Sequence, residues 1–275
     1  MKFRDALKNV LTKKQLEVCP TSYDVVGDIA IIEIPDELKK KERLIAQTLL
    51  DLVKHIKVVV KKHGIHKGKF RLQEYRILAG LRRKTTVHKE NGVRLKLHLE
   101  KTYFSARSAT ERMRIASLVK NGENIVVMFS GIAPFPLVIA RNAQPAHIVG
   151  IEMNPLAHQF ALDNVQLNKL EDKITLVNGD VKTVMPTLGQ TFDRIIMPLP
   201  KDAEDFLDDA LKVACKGTII HLYHFAALNE IEQIKEKIRS ICRGLGRTIR
   251  FVRVVKAGQY SPYVFRLCFD FYVTN

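Results

Sequence analysis

The amino-acid sequence predicts an α/β protein: a doubly wound parallel sheet with an antiparallel C-terminal edge, preceded by a small basic α+β domain. Three observations carry this. From residue 124 onward, β-branched runs and helical stretches alternate five times, which calls for parallel strands with helices on both faces. The last two apolar runs, Thr248 to Val255 and Tyr263 to Val273, follow one another with no helix between them. Before residue 105 the rhythm is different, and Lys and Arg crowd together. The boundaries read as 1–105 for the basic α+β domain and 106–275 for the sheet domain.

In the first part, Phe3, Leu7, Val10 and Leu11 form a short amphipathic opening. Asp24 to Ile34 reads as a turn leading into a buried strand. Pro35-Asp36 then opens a helix to about Ile56, with Asp36 placed to cap it. Lys57 to Lys61 is β-branched and short, a further strand. Val93, Leu95, Leu97 and Leu99 alternate with Arg94, Lys96, His98 and Glu100. That pattern is a half-buried strand with a largely basic outer face, entered through the Glu90-Asn91-Gly92 turn.

The second part opens on the strand Asn124 to Met128, with Leu137 to Asn142 in the helix that follows. The strand His147 to Glu152 leads into a helix from Asn154 to about Asn168. Lys173 to Val177 and Phe192 to Met197 are two more strands, each followed by a helical stretch. Gly217 to Tyr223 is the fifth, before a long helix from about Asn229 to Arg243. The closing pair, joined by a turn containing Gly258, adds an antiparallel edge. Such an ending is unlike a dinucleotide-binding domain and suits a class I, Rossmann-like methyltransferase sheet.

Composition bounds the function. The 275 residues carry 45 Lys and Arg against 29 Asp and Glu, a formal charge of +16. So positive a surface repels itself and calls for a polyanionic partner. Between Lys57 and Lys96 stand 13 basic residues against only Glu74 and Glu90, which favours nucleic acid over an evenly solvated surface. The four cysteines are scattered, with no CxxC pair and no metal-ligand spacing, so they read as buried thiols in a reducing compartment. No apolar run approaches a membrane span and no signal-peptide core opens the chain. A cytoplasmic protein with no metal centre and no membrane contact is expected.

Ligands of open α/β sheets bind beyond the C-terminal strand ends. The first end carries Met128-Phe-Ser-Gly131-Ile-Ala-Pro-Phe135, where Gly131 lets the backbone approach a ligand. A diphosphate cofactor would call for GxGxxG, which disfavours NAD. The second end carries Glu152, suited to ribose hydroxyls, and the third Gly179-Asp180, suited to an adenine amino group. The fourth carries Pro198-Leu-Pro200. Each alone reads equally as an exposed acid or a stiff strand exit; their order and spacing favour S-adenosylmethionine.

Four segments then match a known pattern. Tyr103-Phe-Ser-Ala-Arg107-Ser-Ala-Thr-Glu111-Arg112, Met128 to Phe135, Ile151-Glu-Met-Asn-Pro155 and Met197-Pro-Leu-Pro-Lys201 occur in the order of one family. The sequence resembles the archaeal and eukaryotic tRNA guanosine-37 N1-methyltransferases from about Val25 to its C-terminus. The resemblance implies S-adenosylmethionine as cofactor, held by Phe129, Gly131, Glu152, Asn154, Asp180, Val181 and Pro198. It implies Glu111 as general base for the N1 proton and Arg71 as the cation at O6. It also implies Tyr103, Pro198 and Pro200 at the target base, with Arg107, a further substrate-binding residue, and Arg112 as helpers toward phosphate or local acid partners. The partner implied is the anticodon arm of tRNA, bound by a monomer. Taken singly, Glu111 reads as a first-turn helix acid, Arg71 as a phosphate contact and Tyr103 as core. His221 and Tyr223, at the fifth strand's end, read as cleft lining or as packing.

Three departures stand out. Pro198 replaces the family's Asn, so only a backbone carbonyl is offered there. Ala106 stands where proline is usual. The family's separate N-terminal domain is expected to be absent. The competing functions are aminocarboxypropyl transfer from the same cofactor in wybutosine synthesis, methylation of the later tricyclic intermediate, and a non-catalytic RNA-binding protein.

Overall fold

The computed structural model, which describes residues 3–20, 22–199, 201 and 203–275, divides the chain into two units. One comprises residues 1–90 and 94–106, the other residues 91–93 and 107–275. The first begins with α1 (Phe3–Ala6) and α2 (Lys13–Glu17). Thr12 caps α2 by accepting from the Gln15 N–H while the Gln15 side chain accepts from the Thr12 N–H, a reciprocal capping box. A four-stranded sheet follows in the order β1 (Asp24–Val26), β2 (Ile29–Ile32), β3 (Val58–Lys67) and β4 (Leu72–Gly80). β2 and β3 are parallel, so the chain must cross over between them, and α3 (Glu42–Leu52) makes that crossover. Ile45, Ala46 and Leu49 of α3 are buried with Ala30, Ile32 and Val59 of the sheet and with Phe3, Leu7 and Leu11. β5 (Thr85–Glu90) and β6 (Val93–His98) form a separate two-stranded sheet. Val93, Leu95, Leu97 and Leu99 are all buried, as their alternation requires.

Several expectations for this unit need correction. The Asp24–Ile34 run holds two strands, because Gly27 reverses the chain at φ +59° and a Cβ there would lie 2.1 Å from the Thr86 hydroxyl. The long helix from Asp36 is a 3₁₀ stretch, Asp36–Lys41, followed by the shorter α3. Asp36 does not cap it; the cap position falls on Pro35, whose side chain has no acceptor to offer. Lys41 (φ −107°, ψ 2°) separates the two helical geometries, and α3 ends at Leu52, short of Ile56. β4 and β5 escaped the periodicity because polar residues interrupt them. Gln73, for one, is buried and donates its side-chain amide to the carbonyls of His63, Gly64 and Glu74.

The second unit starts with α4 (Ala109–Leu118). It then alternates β7 (Asn124–Val127), α5 (Pro134–Asn142), β8 (His147–Glu152), α6 (Pro155–Asn168), β9 (Ile174–Asn178) and α7 (Val181–Val184). β10 (Phe192–Met197), α8 (Leu207–Lys212), β11 (Ala214–Ala226), α9 (Ile231–Gly244), β12 (Ile249–Gln259) and β13 (Phe265–Val273) complete it. The sheet order is β12-β13-β11-β10-β7-β8-β9. β7 to β11 are mutually parallel, and β13 lies antiparallel between β11 and β12. This is the Rossmann-like sheet with a reversed edge that the strand pattern predicts. Gly258 is not in the closing turn. It sits within β12 at a register shift after Lys256, and the reversal spans Tyr260 to Val264, with the Tyr260 N–H bonded to the Val264 carbonyl at 2.9 Å. Strand order reverses between β7 and β10, so a ligand crevice is expected outside their C-terminal ends. No helix among the described residues is long and apolar enough to cross a membrane.

Candidate active site

Beyond β7 the backbone alternates into the left-handed region at Phe129 (φ 53°), Gly131 (φ 58°) and Ala133 (φ 65°) before Pro134 opens α5. For the two non-glycine residues this costs on the order of 1–2 kcal/mol each, a cost that persists where the surroundings hold the geometry. The Ser130 N–H, bonded to the Ile151 carbonyl at 2.8 Å, ties the loop to β8. The Gly131 N–H donates to Glu152 Oε2 and the Asn154 N–H to Glu152 Oε1, each at 2.7 Å. The Glu152 carboxylate is therefore fixed at the strand end. Burial pushes its pKa up, against the opposing pull of the Asn154 and Gly131 N–H groups. Asn154 caps α6, its Oδ1 accepting from Leu156 at 3.0 Å and Ala157 at 3.4 Å. Asp180 caps α7 by accepting from the Lys182 N–H at 3.0 Å. Val181 is buried beside it. The Phe129 ring stands edge-on to Phe206, with centroids 4.9 Å apart. Pro198 is half-buried just past β10, and Pro200 lies outside the described residues.

These residues fit an adenosine-type cofactor. The Glu152 carboxylate accepts from the Gly131 and Asn154 N–H groups, with the Met153 N–H also acting on it, and of its roughly four lone-pair positions capacity remains for a ribose hydroxyl. Asp180 stands at the next strand end for an exocyclic amine. The Ser130 hydroxyl is buried in the same loop with no hydrogen-bond partner among the described residues.

Glu111, in the first turn of α4, is almost fully buried. Arg114 reaches back one turn and grips it with two bonds, Nη2 to Oε1 at 2.7 Å and Nε to Oε2 at 2.8 Å. The Tyr223 hydroxyl, from β11, donates to Oε1 at 2.5 Å. Arg114 also donates through Nη1 to Asp270 Oδ2 at 2.7 Å, so one guanidinium bridges two carboxylates. The chain of contacts continues inward. His221 Nδ1 lies 2.6 Å from Asp270 Oδ1, and His221 Nε2 lies 2.6 Å from Arg194 Nη1. A guanidinium only donates, so Nε2 must be the acceptor and Nδ1 carries the proton toward Asp270. Arg194 in turn makes a two-pronged bond to Glu123, at 2.7 and 2.9 Å, and donates to the Leu118 carbonyl at 2.6 Å.

The electrostatics follow from this wiring. Burial would raise the Asp270 pKa, but the bonds from His221 and Arg114 outweigh it and hold the carboxyl well below the usual range. Burial holds His221 neutral, lowering its pKa despite Asp270. Burial, with Cys268 and Glu111 nearby, pushes the Tyr223 hydroxyl up. His221, Cys268 and Asp270 bring three ligand atoms within 4.8 Å of one another. Two adjoining guanidiniums and the commitment of their lone pairs make the cluster a poor cation site.

In the first unit, Arg71 adopts φ 52°, and its guanidinium lies 5.5 Å from the centroid of the Tyr103 ring, which is exposed. The structure thus brings together two residues singled out separately in the sequence. Arg107 is exposed in the 3₁₀ turn Ala106–Ser108, and Arg112 is buried. His221 and Tyr223 are packed within the unit and hydrogen-bonded there. Sequence reasoning missed Arg114, Arg194 and Asp270. A signal existed for the last two, each a charge inside an apolar strand run, Phe192-Asp-Arg-Ile-Ile-Met197 and Leu267-Cys-Phe-Asp-Phe-Tyr272.

Known proteins extend these observations. The TRM5/TYW2 methyltransferase domain matches residues 86–250, and the TYW2 N-terminal domain matches residues 3–84. The chain is 35% identical to the tRNA (guanine(37)-N(1))-methyltransferase Trm5b of Pyrococcus abyssi, over 93% of this chain and 76% of the relative. It is 30% identical to the tRNA(Phe) (4-demethylwyosine(37)-C(7)) aminocarboxypropyltransferase of Pyrococcus horikoshii, over 98% of this chain and 95% of the relative. The solved complex of aTrm5 with tRNALeu superposes with a TM-score of 0.85 at 33% identity, covering 100% of this chain and 78% of that one. With both units matched in sequence and the fold matched in space, the chain belongs to the TRM5/TYW2 methyltransferase family.

Proposed function

We propose that this protein is an S-adenosylmethionine-dependent tRNA methyltransferase that modifies N1 of guanosine 37, next to the anticodon. The observation that carries the reading is a buried, charge-held carboxylate, Glu111, in the same unit as the Gly131–Glu152–Asp180 strand ends. Relatives named for this reaction match both units at about one-third identity.

Guanine N1 bears a proton and attacks poorly until it is removed. In the proposed reaction Glu111 takes that proton, so the N1 electron pair is free to attack as the N–H bond breaks. Negative charge then gathers on O6, where Arg71 supplies the opposing cation. S-adenosylmethionine, when bound, would supply an electrophilic methyl group, the S–C bond breaking as the C–N1 bond forms and S-adenosylhomocysteine leaving. Glu152 holds the ribose hydroxyls, Asp180 the adenine amine, and Phe129, Asn154 and Val181 complete that cradle with Gly131. N1 lies on the pairing edge, so the base leaves its stack to be reached, and Tyr103 holds it against Arg71. Pro198 meets the target base through its carbonyl alone. Arg107 and the basic first unit engage phosphates of the anticodon arm.

The test is mass spectrometry of tRNA nucleosides after incubation with S-adenosylmethionine. The wild type is expected to add one methyl group at guanosine N1, and Glu111→Gln to lower the rate of that addition sharply while leaving a measurable residue. No methylated product on any tRNA overturns the reading. A second reading, aminocarboxypropyl transfer at the same tRNA position, draws support from the TYW2 N-terminal domain match and from a relative named for such transfer to C7 of 4-demethylwyosine(37), matched over nearly its whole length. A product heavier by an aminocarboxypropyl group would establish it.

A further inference from the structure

We infer that Arg114 and Tyr223 are positioning residues that leave Glu111 a single open lone pair, on Oε2, and so dictate the atom and direction by which it accepts a proton. The inference rests on the proposed role of Glu111 as base. A carboxylate offers about four in-plane lone-pair positions, two on each oxygen. In Glu111, Oε1 is filled by the Tyr223 hydroxyl at 2.5 Å and Arg114 Nη2 at 2.7 Å. Among the described residues, Oε2 receives only Arg114 Nε, at 2.8 Å. Three of the positions are occupied by donors that cannot accept a proton in exchange. Arg114 stays protonated, and burial raises the Tyr223 pKa, so neither relays the proton onward. The proton from N1 therefore bonds to Oε2, and the electron pair of the broken N–H bond stays on N1.

The grip is itself held from behind. Asp270 takes Nη1 of Arg114 at 2.7 Å, and His221 donates to Asp270 from the far side. Arg194, itself held by Glu123, anchors His221 in turn. A flexible i,i+3 pair on a helix surface would sample several geometries. Here the fork is clamped between α4 and β13 with both carboxylates buried. Arg266 adds a cation 5.9 Å over the Tyr223 ring, and its Nη1 bonds the Ser108 hydroxyl at 2.7 Å, just before α4.

A double-mutant cycle on single-turnover methyl transfer tests this, with saturating S-adenosylmethionine and tRNA. Tyr223→Phe is expected to lower the rate constant about 10-fold or more, the scale for losing a hydrogen bond to a charged group. The dissociation constants for cofactor and tRNA should not move. In a Glu111→Gln background the same change should have no further effect, because Tyr223 acts only through Glu111. Arg114→Lys, which keeps the charge and loses the fork, should behave likewise. Circular dichroism melting separates folding failure from rate loss for the lysine variant, and Tyr223→Phe removes one oxygen only. Equal fold losses in both backgrounds, or a full rate in Tyr223→Phe, overturn the inference while leaving the base assignment intact. A wild type with no methyl product overturns the inference together with the function it rests on.

Discussion

Replacing Arg194 with methionine removes an almost fully buried cation of the second unit and should destabilise that unit by about 3–5 kcal/mol, the scale for breaking a buried ion pair from one side. Arg194 is almost fully buried, and its side chain supplies both bonds to Glu123, the bond to His221 Nε2 and the bond to the Leu118 carbonyl. Methionine fills similar volume, so cavity formation contributes little and the loss is electrostatic. It strands a carboxylate and two acceptors at once. Relaxation recovers part of this, since Glu123 can turn toward water and His221 Nε2 can take up a proton. The figure therefore stays near that of a single buried pair, below the sum of the separate bonds. With a urea m-value of about 2 kcal/mol per molar, the midpoint should fall by roughly 1.5–2.5 M. The transition is best followed by hydrogen exchange of β10 and β11 peptides, so that only the second unit is read. The control is Arg243→Met, whose partner Glu236 is on an exposed helix face; its midpoint should not move. A shift below about 0.5 M for Arg194→Met would refute the claim that this network holds the sheet together.

Two more outcomes are expected. The folded state keeps His221 unprotonated while the unfolded chain binds a proton below about pH 6.5, so stability should fall as pH drops below that value, by up to about 1.4 kcal/mol per unit. His221→Gln should flatten the slope without abolishing it, since burial lowers His98 and His158 in the same direction; an unchanged slope between pH 5 and 6.5 would be fatal to the assignment. In the first unit, Gly80→Ala should cost more than about 2 kcal/mol of stability in a urea titration, because φ is +85° and the new Cβ would meet the Lys57 carbonyl oxygen at 2.2 Å. Gly64→Ala, at φ +69° with nothing within 4 Å, should cost only the backbone term, about 1 kcal/mol; equal losses would show that the contact does not matter.

Much of the second unit was legible in the sequence because its central strands β7, β8 and β10 are buried on both faces and read as apolar runs. β8 and β10 were legible residue for residue, as was the alternation of β6. β4 was not, since Gln73 and Arg76 break its pattern. Those polar groups find partners across the sheet and on α3, where Gln73 meets the His63 and Gly64 carbonyls and Arg76 pairs with Glu42. The helix from Asp36 misled for a local reason: the charges suit a first turn, but the backbone there is 3₁₀ and its cap position is a proline.

By itself the sequence determined the layered α/β class, the reversed edge, the order of the strand-end residues and the basic character of the first unit. All of these follow from periodicity and composition, which are properties of neighbours along the chain. Tertiary structure alone decided what Glu111 touches. Arg114 lies three residues away, yet Tyr223, Asp270, His221 and Arg194 come from three other strands. A buried charge persists only where such partners converge, and that convergence depends on strand order and register, which no local pattern encodes.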